Sequence, residues 1–195
     1  MKGGMLARAR WWVLAGIGLM VGGCAGVQVS SGPSSNLVYP SLDQESLRSA
    51  TYPCDQAAAG KVTLRAGTYS EPLGMGSPDQ LVVTLLSQWS AFGDLDGDGN
   101  KDAAAILTVR AHGASVLYYL VTMLNANGTP VAQASLLLGD RIKLYSLTIA
   151  AEKILINVYR QGPGDQMSNP KQRFKEVYKL EGQDLTRISQ TQLAQ

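Results

Sequence analysis

Only two cysteines, Cys24 and Cys54, and a single histidine, His112, occur among the 195 residues. A tetrahedral zinc site built from Cys and His is therefore excluded. Any Ser-His-Asp triad would have to use His112, which lies beside Gly113 in a predicted turn, and no G-x-S-x-G elbow accompanies it. Phosphate-cradling P-loops and the dinucleotide pattern G-x-G-x-x-G are also missing. No segment repeats at a fixed period, which argues against a propeller or a solenoid. Long apolar runs are lacking too. The longest, Trp11 to Val21, is broken by glycines and falls short of the about 20 residues that a membrane-spanning helix needs.

That short run has a different use. Lys2, Arg8 and Arg10 precede it as a positive n-region, and Gly22 and Gly23 close it with small residues, the order of an export signal. Val21-Gly22-Gly23-Cys24 then resembles the bacterial lipobox. The resemblance implies cleavage after residue 23 and acylation of the Cys24 thiol, so that the mature protein is held on a membrane by its acyl chains. Each buried methylene contributes about 0.8 kcal/mol, and several chains together anchor stably. Ala25 rather than Asp follows the cysteine. In a Gram-negative host this implies the outer membrane, facing the periplasm.

Removing residues 1–23 changes the charge. The chain has 17 Lys and Arg against 15 Asp and Glu, a net +2. Three of the bases leave with the signal, so 14 oppose 15 and the mature chain carries −1. No electrostatic case for nucleic acid remains. With Cys24 acylated, Cys54 has no partner within the chain, so no disulfide is expected; Cys54 reads as a small buried hydrophobe.

Residues 24–40 are rich in Ser, Gly and Pro and read as a flexible tether. Residues 41–195 form one domain by length. Ser41 followed three residues later by Gln44 is a capping-box pattern, which predicts a short helix through Leu47. Strands are predicted over residues 61–64, 81–86, 104–109, 115–124, 131–138, 142–149, 154–159 and 174–180. Turn signals at Asn127-Gly128, Gly139-Asp140, Gly162-Pro163-Gly164-Asp165 and Glu181-Gly182 separate several of them. Residues 81–89 suit a strand or a buried helix equally. Short connections imply antiparallel pairing. The fold class expected is mainly β, an antiparallel sheet curled into a roll or partial barrel, with a short N-terminal helix. Trp89, Tyr118 and Tyr119 are expected to pack in the core or across strands.

The densest chemistry lies at residues 92–102, Phe-Gly-Asp-Leu-Asp-Gly-Asp-Gly-Asn-Lys-Asp. Asp94, Asp96, Asp98 and Asp102 put four carboxylates at alternating positions of one loop. Four anions so close repel one another, and a divalent cation relieves the repulsion. Calcium is expected, because it takes six to eight oxygens in flexible geometry. Asp94, Asp96 and Asp98 would offer side-chain oxygens, Asn100 its backbone carbonyl, and Asp102 would close the shell directly or through water. An EF-hand would require Glu at position twelve, which is Ala105, and helices on both sides. A strand-loop-strand site fits better, with a metal-free Asp-Gly turn as the alternative. The pattern resembles the calcium loop of FG-GAP (integrin-type) repeats, over about fifteen residues and only once. It implies their local ligand set without their propeller.

A looser likeness extends over residues 81–167. The acidic loop with Ala103-Ala104, the tyrosine-bearing strand, Leu138-Gly139-Asp140-Arg141 and the Gly162-to-Met167 stretch resemble a group of small exported bacterial lipoproteins of uncharacterised function. These features lead to the expectation of a non-catalytic cell-envelope lipoprotein with one structural calcium loop. Its partners would be the membrane, through the lipid, and an envelope protein or the cell wall. Two alternatives accompany it: an envelope hydrolase using Asp140 and Asp165 as an acidic pair, and a module that docks partners on a sheet edge.

Overall fold

A computed structural model describes residues 40–111, 115–163, 165–166 and 169–194. The signal segment, Cys24, most of the tether, His112, Gly164 and Met167 lie outside the described residues. The domain is mainly β and antiparallel, with one sheet curled into a half-barrel and one short helix.

The helix, α1, spans Gln44–Arg48. Its N-cap is Asp43 and not Ser41: the Asp43 carboxylate accepts from Ser46 N at 2.8 Å, and the Ser46 hydroxyl accepts from Asp43 N at 3.1 Å. Asp43 wins because its partner three residues on is also polar and short, which closes the reciprocal box. The hairpin β1 (Thr51–Pro53) and β2 (Lys61–Thr63) follows.

Five strands form the first sheet, in the order β3 (Thr68–Pro72), β4 (Gln80–Gly93), β5 (Asp102–Arg110), β6 (Leu117–Ala126) and β7 (Thr129–Asp140). The second sheet has β8 (Lys143–Ala150), β9 (Lys153–Arg160), β10 (Gln172–Glu181) and β11 (Asp184–Gln192), ordered β11-β10-β9-β8. Strands β1, β3 and β11 were not expected. Each is short or largely exposed, so little hydrophobic alternation marks it. Gly139-Asp140, expected as a turn, instead ends β7, and β4 settles the ambiguous residues 81–89 as strand. That strand bends sharply. Leu85 pairs with Leu107 and Ser90 with Ala105, so residues 86–89 stand opposite Ile106 alone. A bulge of this kind curls the sheet.

The first sheet is covered on both faces. On one side Leu47, Tyr52, Val62 and Leu64 from the N-terminal segment pack against Leu81, Val83, Ala103, Ala105 and Leu107. On the other, Ala104, Ile106 and Leu120 meet Leu144, Ile154, Ile156 and Tyr178 of the second sheet. Strand β5 is therefore buried from Asp102 through Leu107, which explains a continuous small and apolar run where a one-sided strand would alternate. Trp89 and Tyr118 pack on the inter-sheet core, Tyr119 on the other. Asn127 and Gly128 take positive φ of 56° and 90°, as the expected hairpin turn requires.

Candidate metal centre

The acidic loop is the connection between the antiparallel neighbours β4 and β5, where Gly93 pairs with Asp102. Both ends are fixed by packing. A Cβ on Gly93 would lie 2.7 Å from Ile149 Cγ2 of β8, so only glycine lets the loop leave the sheet there. Leu95, one residue into the loop, is buried in the inter-sheet core. The anchor therefore alternates with the polar groups: Leu95 points inward while Asp94 and Asp96 are left at the surface side.

Backbone donors organise the carboxylates. Asp94 accepts from Gly97 N at 2.7 Å and from Gly99 N at 3.0 Å, and Asp96 accepts from Asp98 N at 3.2 Å. Gly97 and Gly99 take φ of 83° and 85°, the left-handed conformation that lets the chain wrap around Asp94. Asp98 is engaged differently. Its two oxygens accept from Asn100 N at 2.7 Å and Asn100 Nδ2 at 2.8 Å. These bonds hold the Asp98 carboxyl below its ordinary value.

Asp102 is the buried member, 1% exposed. One oxygen accepts from Leu95 N at 2.8 Å and the other from Asn125 N at 2.9 Å. Asn125 continues the link: it donates from Nδ2 to Pro40 O at 3.0 Å and accepts from Gly128 N at 2.6 Å. Asp102 thus ties the loop to the β6–β7 hairpin and to the start of the domain. Burial pushes its carboxyl up, opposed by the two backbone hydrogen bonds and reinforced by the charges of Asp96 and Asp98.

Ligand oxygens of Asp94, Asp96 and Asp102 lie within 4.8 Å of one another. Oxygens coordinating one calcium at about 2.3–2.6 Å are at most about 5 Å apart, so these three could hold a metal ion. The fold brings together three of the four carboxylates expected; the fourth, Asp98, lies outside that group and accepts from Asn100.

Comparison with protein-family models, curated proteins and solved structures finds no match.

One carboxylate near the loop was invisible in the sequence. Glu152 lies in the β8–β9 turn, 55 residues beyond Gly97, and a Cβ on Gly97 would stand 3.6 Å from its Oε1. With Asp96 it lines a cavity of about 400 Å³. Ala151 and Glu152 both take positive φ, 49° and 57°, without the Asn or Gly that marks such turns. Left-handed backbone at non-glycine residues costs roughly 1–3 kcal/mol each and persists where its surroundings over-determine it.

The remaining expected residues are explained locally. Asp140 pairs with its neighbour Arg141, at 2.8 Å to Nε and 2.6 Å to Nη2. Asp165 accepts from Gly162 N and Lys171 N, both at 2.9 Å, and these bonds keep its carboxyl below the usual range. Cys54 is buried, as expected, and donates to Gln56 Oε1 at 3.5 Å; burial raises its thiol pKa.

Proposed function

We propose that this chain is a lipid-anchored envelope protein whose β domain is clipped by one calcium ion and acts by binding or as a structural part, without catalysis. The observation that carries the reading is the convergence of Asp94, Asp96 and Asp102 on one point, with Asp102 buried and bonded to two other segments. A cation there would draw together the loop, the β6–β7 hairpin and, through Leu95, the inter-sheet core. It would also offset the charges of Asp96 and Asp98, which add to the effect of burial in raising the Asp102 carboxyl.

Envelope location rests on the lipobox-like Val21-Gly22-Gly23-Cys24. Outside the cytoplasm calcium is abundant enough to fill sites with dissociation constants of roughly 10⁻⁴ to 10⁻³ M, which makes the ion a permanent part of the domain and not a signal. The acidic pair of the hydrolase alternative is engaged locally, Asp140 by Arg141 and Asp165 by backbone amides, and this favours the non-catalytic reading.

The test is thermal melting in calcium and in chelator, with calorimetry. A site that binds only the folded state raises stability by about 2.7 kcal/mol at a hundredfold excess over Kd. Asp94→Asn with Asp96→Asn should abolish that increment. Unchanged melting in calcium, with no heat of binding, overturns the metal reading. Anchoring is tested separately: Cys24→Ser should move the protein from the membrane to the soluble fraction, and unaltered partitioning overturns it.

A further inference from the structure

The core-facing side of the second sheet carries a charge cluster away from the metal loop. Glu176 is fully buried, on the same face of β10 as Phe174 and Tyr178. Its Oε1 accepts from Arg160 Nε at 2.7 Å and Gln190 Nε2 at 2.9 Å. Its Oε2 accepts from Arg160 Nη2 at 2.9 Å and the Tyr178 hydroxyl at 2.7 Å. An ionised carboxylate offers about four lone-pair sites, so these four donors fill it. Arg187 Nη1 is a fifth, at 3.4 Å from Oε1, beyond the about 2.7–2.9 Å of a strong charge-assisted bond.

The charge count follows from the geometry. Arg160 neutralises Glu176 with a two-pronged pair and donates from its remaining nitrogen, Nη1, to Leu138 O at 2.6 Å. Two guanidiniums face one carboxylate, so one positive charge is left over in the group, and Arg187, held to Glu176 only at 3.4 Å, is the more loosely paired and more exposed of the two. That side chain is 43% exposed and stands at a cleft of about 300 Å³ between β7 and the second sheet, walled by Leu136, Leu138 and Leu185.

We infer that this cleft binds a small amphiphilic carboxylate, its head group paired with the Arg187 guanidinium and its aliphatic tail lying on the leucine wall. A planar guanidinium matches a carboxylate with two parallel hydrogen bonds. A single surplus charge suits a monoanion. A dianion would leave net negative charge beside the buried Glu176.

Heteronuclear NMR on the ¹⁵N-labelled protein tests this with octanoate, acetate and inorganic phosphate as probes. Octanoate should saturate, with shifts concentrated at Leu136, Leu138, Leu185 and Arg187, and bind more tightly than acetate or phosphate. Arg187→Gln should weaken it about tenfold or more, the scale of one lost charge-assisted pair. Octanoate shifts that do not saturate or that cluster elsewhere overturn the inference, and this readout needs no variant. Phosphate binding as tightly as octanoate overturns it too, as does unchanged affinity in a folded Arg187→Gln protein.

Discussion

Replacing Glu176 by Gln removes a buried charge and keeps the side chain's size. Gln can accept on one oxygen only, so Arg160 loses half of its two-pronged pair and all of its counter-charge. Breaking a buried ion pair from one side costs about 3–5 kcal/mol, because the remaining charge stays buried without compensation. Arg160 keeps 22% side-chain exposure and its bond to Leu138 O, which places the expected loss near the lower end, about 3 kcal/mol. For a domain of this size each kcal/mol moves Tm by about 2–4 °C, so the fall should be about 6–12 °C at pH 7.

The pH dependence supplies an independent check. Burial alone pushes the Glu176 carboxyl up, but hydrogen bonds from Arg160 and Tyr178, with the charges of Arg160 and Arg187, outweigh it and hold it below the ordinary glutamate value. A carboxyl whose folded pKa lies below its unfolded one contributes stability that is fully present above the unfolded pKa, about 4.3. That contribution is lost as pH falls through the folded pKa. Melting curves of the wild type and Glu176→Gln should therefore be far apart at pH 7 and converge below pH of about 4. Equal Tm values at pH 7, or a gap that does not change down to pH 3, would refute the reasoning. The double change Glu176→Leu with Arg160→Met removes the uncompensated charge but leaves the buried Tyr178 hydroxyl and Leu138 O without these partners, so it should recover only part of the loss.

Other expectations concern the loop and its supports. Asp102→Asn leaves one acceptor for two buried backbone donors, Leu95 N and Asn125 N, and should cost about 1–3 kcal/mol in urea unfolding even with chelator present. That loss separates the structural role of Asp102 from any role toward a metal. Gly93→Ala drives a Cβ to 2.7 Å from Ile149 Cγ2 and should destabilise by about 1–3 kcal/mol through overpacking; a wild-type urea midpoint would show that β8 can yield there. Cys54, buried with a raised thiol pKa, should resist alkylation in the native protein and react on unfolding, as mass spectrometry can follow.

The acidic loop was legible because its chemistry is local. Asp94, Asp96 and Asp102 are separated by at most eight residues, and the strands on either side carry apolar runs strong enough to locate them. The core-facing series Phe174, Tyr178 and Leu180 on β10 was legible for the same reason, through alternation with charged residues. Glu176 belongs to that inward series by parity, but nothing near it in that series supplies the counter-charge that a buried carboxylate needs. Only the arrival of Arg160, Gln190 and Tyr178 makes a buried glutamate tolerable there.

By itself, then, the sequence determined the strand-rich character, the Asn127-Gly128 hairpin, the sparse Cys and His chemistry, and the cluster of carboxylates in one loop. Periodicity and turn chemistry are properties of neighbours along the chain, and these features need nothing more. Tertiary structure decided which carboxylates converge: it joined Asp94 and Asp96 to a buried Asp102, left Asp98 with Asn100, and brought Glu152 beside Gly97. It also decided that β5 is covered on both faces and that Glu176 has its partners. Those outcomes depend on how two sheets and an N-terminal segment stack, and the energies that set them act between residues far apart in sequence, where no local pattern records them.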